Sequence, residues 1–136
     1  MKLDHVAIWA VDIELDGDLD IVLNNLDDSP TLLRNRGGSR AGHWVTLKLV
    51  GNPALKTPRD AIGTVVFCEA GGFRQRGEVA SGRGYISQSD LRVHFGLGAA
   101  QRVEKMQILW PNGSRETVTL PAVDRFFTIV QGKGAQ

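Results

Sequence analysis

From Val45 to Ile129 the apolar side chains fall on every second residue: Val45, Leu47 and Leu49; Ile62, Thr64, Val66 and Cys68; Val93 and Phe95; Met106, Ile108 and Trp110; Phe127 and Ile129. Successive side chains of an extended chain point to opposite faces, so period two buries one face of a sheet, and no helix can be built from it. The runs are cut by Gly51-Asn52-Pro53, Gly71-Gly72, Gly82-Arg83-Gly84, Pro111-Asn112-Gly113 and Gly132, residues that favour turns through the backbone angles they permit or impose. Roughly six to eight strands with regular turns and no helical segment imply an all-β protein, an antiparallel β-sandwich. Strand order does not follow from the pattern.

At 136 residues, 42% of them hydrophobic, the chain is long enough for one domain with a real core. No stretch approaches the roughly 18 apolar residues of a membrane-spanning helix, and Met1-Lys2-Leu3-Asp4-His5 lacks the apolar segment of a signal peptide, so a soluble chain without an address is expected. A single cysteine, Cys68, cannot form an internal disulfide; it reads as a small buried apolar residue. The scattered His5, His43 and His94 give no zinc spacing, which argues against transition-metal chemistry.

The net charge of +1 hides an asymmetry. Seven acidic residues (Asp12, Glu14, Asp16, Asp18, Asp20, Asp27 and Asp28) and no lysine or arginine lie between positions 12 and 28. From Arg34 onward there are 15 basic and seven acidic residues, but the cations are spread singly and do not cluster with aromatics. Nucleic acid is therefore a poor partner. The glycine-rich stretch 36–42 reads as a linker between a first piece, 1–35, with two or three short strands around acidic loops, and a domain over 43–132.

Asp12-Ile-Glu14-Leu-Asp16-Gly17-Asp18-Leu-Asp20 places carboxylates at loop positions 1, 3, 5 and 9, with glycine at position 6, where a sharp turn is needed. That pattern suits Ca2+, which takes six to eight hard oxygen ligands; the expected set is Asp12, Glu14, Asp16 and Asp20, with the carbonyl of Asp18. Position 12, the glutamate of an EF-hand, is Leu23 within Ile21-Val22-Leu23, so this loop enters a strand. The alternative, a solvated acidic turn, leaves neighbouring carboxylates repelling one another.

Val6-Ala7-Ile8-Trp9-Ala10-Val11-Asp12 through Asp20-Ile21-Val22-Leu23-Asn24, closed by Pro30-Thr31-Leu32-Leu33-Arg34-Asn35, resembles one FG-GAP (VCBS-type) repeat, a blade of calcium-binding β-propellers. The remainder resembles the ASPIC/UnbV domain through His43-Trp44-Val45, Arg59-Asp60-Ala61-Ile62-Gly63, Gln75-Arg76, Ser87-Gln88-Ser89-Asp90, His94-Phe95-Gly96-Leu97-Gly98 and Trp110-Pro111-Asn112-Gly113. The resemblance implies a sandwich preceded by a partial propeller-blade segment. It also implies an extracellular or cell-surface adhesion or ligand-binding protein, whose partner is a protein or glycan. One blade cannot bury its own faces, so upstream repeats are expected to be missing, and the first piece is expected to fold onto the sandwich or to pair across a dimer through its unpaired strands.

Other candidates are weaker. Arg74, Arg76, Arg83 and Tyr85 offer a loop that could grip a sugar, the alternative function of a carbohydrate-binding accessory module. Ser87, Ser89, Asp90 and His94 hold the residue types of a hydrolase without a nucleophile elbow, and His94 is expected to point away from Val93 and Phe95. Gly96-Leu97-Gly98 lacks the third glycine and the helix of a dinucleotide site and reads as a turn. Trp44 and Trp110 are assigned to core or inter-sheet packing. No catalytic residue is assigned.

Overall fold

The computed structural model describes residues 6–25, 28–37, 42–82, 88 and 90–136, with backbone alone for 6–9. Strands β1 (Val6–Val11), β2 (Asp20–Asn25) and β3 (Thr31–Leu33) form an antiparallel sheet in chain order. The rest is a two-sheet sandwich. Its strands are β4 (His43–Val50), β5 (Val65–Ala70), β6 (Phe73–Glu78), β7 (Val93–Gly98), β8 (Lys105–Leu109), β9 (Arg115–Val118), β10 (Arg125–Val130) and β11 (Gly134–Ala135). One sheet has the order β11-β10-β4-β7 and the other β6-β5-β8-β9.

Among the described strands all pairs but one are antiparallel. Strand β10 runs parallel to β4, with Arg125 opposite Val45 and Val130 opposite Val50. A parallel pair needs a long crossover, and here the chain between the two builds the facing sheet and β7.

The period-two residues meet between the sheets. Val45, Leu47, Leu49, Val66, Val93, Phe95, Met106, Ile108, Trp110, Phe127 and Ile129 are buried in one cluster with Cys68. Burial raises the Cys68 thiol pKa to about 11, Glu69 adding to the effect. Ile62 departs from the expected strand: it is exposed, in the turn closed by the Thr64 N–H on the Ala61 carbonyl at 3.0 Å, and β5 begins only at Val65. Along one side the two sheets touch, the Gln75 side chain donating to the Gly96 carbonyl at 2.6 Å.

The first sheet has few places to hide its apolar side chains. Leu23 is buried, but Ile21, Leu32 and Leu33 stay exposed, with Ile21 opposite Leu33 across the β2–β3 ladder.

On the outer face of the β4-containing sheet, alternation turns Trp44 and Thr46 of β4 and His94, Gly96 and Gly98 of β7 away from the core. Gly96–Gly98 thus belong to a strand, correcting the turn reading; the chain turns only after Gly98, at φ +57°. Trp44 is buried, as expected, but outside the core cluster rather than between the sheets. Its ring stacks on His94 at 6.0 Å and meets the edge of Phe126 at 5.2 Å. Thr46, also outward-facing, is only 3% exposed. Something covers this face, and it is the acidic loop.

Candidate acidic-loop site

The loop from Asp12 to Asp20 joins β1 to β2 and is held by its own carboxylates. Asp12 Oδ1 accepts the Asp16 N–H at 3.1 Å and Oδ2 the Gly17 N–H at 3.0 Å. Asp16 Oδ1 takes the Asp18 N–H at 3.0 Å. Asp20 Oδ2 takes the Ile13 N–H at 3.3 Å, and its Oδ1 the Asn35 N–H at 2.9 Å, which ties the chain after β3 to the loop. Small acidic side chains suit this work because they reach backbone N–H groups a few residues away.

The charges are deeply placed. Asp12, Asp18 and Asp20 are 3%, 4% and 2% exposed, and among the described residues no lysine or arginine pairs with them. The Asp18 carboxylate accepts no hydrogen bond from any described residue. A buried carboxylate without a cation or a full set of donors carries a desolvation cost of several kcal/mol, on the order of what a buried ion pair must overcome. Glu14 instead turns to Arg34, with which it forms an ion pair. The donor set is hard oxygen throughout, which fits calcium chemistry. As the loop stands, no three carboxylate, imidazole or thiol groups among the described residues converge as a ready-made metal cluster.

Gly17 seats the loop on the sandwich. Its φ of +94° favours glycine, and a Cβ there would lie 2.1 Å from Trp44 Cε2, so the backbone packs directly on the indole. Gly42 approaches Gly98 as closely, a Cβ falling 2.6 Å from its carbonyl oxygen. His94 lies beneath the loop, its Nδ1 2.8 Å from Thr46 Oγ1. Burial pushes the His94 pKa down, partly opposed by the nearby Asp12 and Asp18 charges. At the start of β4, Asp124 accepts from the Trp44 N–H at 3.0 Å and meets His43 Nδ1 at 2.6 Å, while its own N–H donates to the Trp44 carbonyl at 2.7 Å. Burial works to raise the Asp124 pKa, but the bonds from His43 and Trp44 outweigh it and hold the carboxyl below its usual range.

The loop thus turns the Asp12, Asp16 and Asp20 carboxylates onto backbone N–H groups, without gathering three carboxylates at one point, and sends Glu14 outward to Arg34. The arginine candidates lie elsewhere. Arg74 stacks over Phe67 at 4.6 Å with Glu69 3.6 Å away, and Arg76 pairs with Glu78 at 2.8 Å, so both already have carboxylate partners. Arg83, Tyr85, Ser87 and Ser89 lie outside the described residues, as does Asp27. His94 turns away from Val93 and Phe95, and Asp90 is engaged by Arg92, with Nε to Oδ2 at 2.6 Å. Sequence reasoning missed the seat. The available signal was that the outward positions of two strands carry Trp44, Thr46, His94, Gly96 and Gly98 in place of charged residues.

Larger hollows exist, one of about 570 Å³ beside β9 and β11 and one of about 650 Å³ beside Phe73. Neither is lined by a buried side-chain carboxylate, in contrast to the cavity of about 390 Å³ between loop and sandwich, which Asp18, His43 and His94 share.

Comparison with known proteins places this geometry in context. The family described as "ASPIC and UnbV" matches residues 54–136, more than half of the chain. A curated protein named as a putative 3-methyladenine DNA glycosylase from Myxococcus xanthus (strain DK1622) is 31% identical over 64 residues, which are 47% of this chain and 33% of that protein. The chain therefore spans about a third of that relative's length.

Proposed function

The chain belongs to the ASPIC/UnbV family, and on that premise we propose that it is a non-enzymatic, calcium-binding adhesion or ligand-binding module of the extracellular space or cell surface. The carrying observation is the burial of Asp12, Asp18 and Asp20 in one loop where, among the described residues, their hydrogen-bond donors are backbone N–H groups and no lysine or arginine pairs with them. Each carboxylate oxygen that accepts an N–H keeps a second lone pair for a metal ion. Asp12, Asp16 and Asp20 with the Asp18 carbonyl would hold calcium, and Glu14 would join by exchanging Arg34 for the ion. The ion's part is structural: neutralising the loop fixes the turn between β1 and β2 and keeps it on Trp44.

The FG-GAP-like reading of the first sheet has support in the exposed Ile21, Leu32 and Leu33, apolar side chains that further repeats would cover. The glycosylase name stays with the Myxococcus protein, since only 33% of it is matched.

Calorimetric titration with calcium to about 10 mM, paired with hydrogen exchange in calcium and in chelator, tests the reading. The expected result is saturable heat with Kd on the order of 0.1 to 1 mM, together with protection that calcium raises in residues 12–20 and leaves unchanged in β4–β10. No heat, with identical exchange in both conditions, refutes it.

A further inference from the structure

The calcium reading employs the main-chain carbonyl of Asp18 and leaves its side chain unexplained. Asp18 is 4% exposed and lines the cavity of about 390 Å³ between the loop and the sandwich, and its carboxylate accepts no hydrogen bond from any described residue. Among the described residues, no lysine or arginine lines this cavity.

Two imidazoles share the other walls. His43 Nδ1 faces the Asp124 carboxylate, which can only accept, so Nδ1 carries a proton and Nε2 is left to other partners. His94 has its Nδ1 turned to Thr46, which again leaves Nε2 to other partners. Leu19 and Trp44 add apolar surface next to these polar groups. The two imidazoles that share this cavity with Asp18 suit a hard cation such as calcium poorly, since calcium takes oxygen ligands. A neutral polyol would leave the buried charge uncompensated.

We propose that this cavity binds a primary ammonium on a short aliphatic stem, with the ammonium on the Asp18 carboxylate and the stem along Leu19 and Trp44. The ammonium supplies three donors and a positive charge to the Asp18 carboxylate, and His43 and His94 stand on the same cavity as further polar partners. A free alkylamine and a lysine side chain share this chemistry. The amine site uses the Asp18 side chain, whereas the calcium reading uses its main-chain carbonyl, so amine binding is read with and without calcium.

The test is NMR titration of the full chain, in calcium and in chelator, with n-butylammonium, Nα-acetyl-lysine amide and glucose as separate probes, repeated on Asp18→Asn. The proposal expects n-butylammonium to shift the Trp44 indole and the Gly96 and Gly98 amides of the wild-type chain, with Kd on the order of 1 mM. It expects affinity for the amine at least about tenfold weaker in Asp18→Asn. Tighter binding of the lysine amide would assign the site to a lysine side chain, and equal or weaker binding to a free amine. If Asp18→Asn does not fold, the wild-type shift map decides. Absence of these shifts at about 10 mM amine, equal affinity in folded Asp18→Asn, or glucose binding in place of the amine each overturns the proposal. Loss of calcium binding with amine binding intact sinks the calcium reading alone.

Discussion

Replacing Gly17 by alanine puts the loop's seat under direct strain. The new Cβ would lie 2.1 Å from Trp44 Cε2 and 2.2 Å from its Nε1, and the Trp44 ring is pinned by His94 and Phe126 and cannot step aside. Crowding of this kind costs about 1 to 3 kcal/mol. A φ of +94° adds about 1 to 2 kcal/mol for a residue with a Cβ. Burying the indole beneath the loop supplies at most about 5 kcal/mol, from about 200 Å² at 25 cal/mol per Å², so the substitution removes a large share of what keeps the loop down. The loop should lift while the sandwich, with its separate core, stays folded. Amide exchange at Asp16 and Asp18 should quicken by about thirtyfold or more, the equivalent of about 2 kcal/mol, with little change in the melting temperature of the sandwich. Gly72→Ala is the control: it meets a similar backbone strain at φ +80° with nothing within 4 Å of its Cβ, and should leave the loop unaffected. Unchanged exchange at Asp16 and Asp18 in Gly17→Ala would refute the seating argument.

Two further outcomes follow from the sandwich. With its thiol pKa at about 11 and its side chain in the core, Cys68 should resist a thiol reagent at pH 8 and react only as the domain unfolds; rapid labelling of the native protein would contradict this burial. For Asp90, burial works to raise the pKa but the Arg92 guanidinium and N–H hold it below 3.8, so this carboxylate contributes stability above that value and loses it as pH falls through the lowered pKa. Asp90→Asn should therefore be less stable than wild type near pH 7, and the gap should close in acid; denaturant melts showing a gap independent of pH would disprove the assignment.

What the sequence disclosed divides along physical lines. Alternation in β4, β5, β7, β8 and β10 gave the class and most of the core because each strand has one buried and one outer face, so a period of two carries the information. The same rule failed at Ile62, where turn formation at Ala61–Gly63 overrode the pattern, and at Gly96–Gly98, where glycines read as turn formers prove to be outward strand positions lining the cavity beside the acidic loop. Spacing located the loop, including the glycine whose φ is +94°. It could not place Glu14 on Arg34, since that ion pair joins the loop to a residue beyond β3, nor reveal that Trp44 is covered by the loop rather than by the facing sheet. Contacts between elements far apart in the chain leave no local periodicity to read.

The side-by-side run of β4 and β10 bears on how the molecule comes into being. Val45 and Arg125 are neighbours although 80 positions apart, and β4 has its two ladder partners in β7 and β10. During synthesis β4 emerges early and lacks its second neighbour until the chain has grown past Val130. Acquisition of the native state is thus expected to be a late event governed by long loop closure, on the order of milliseconds to seconds once the chain is complete. Until then an apolar ribbon remains available to chaperones and to its own copies.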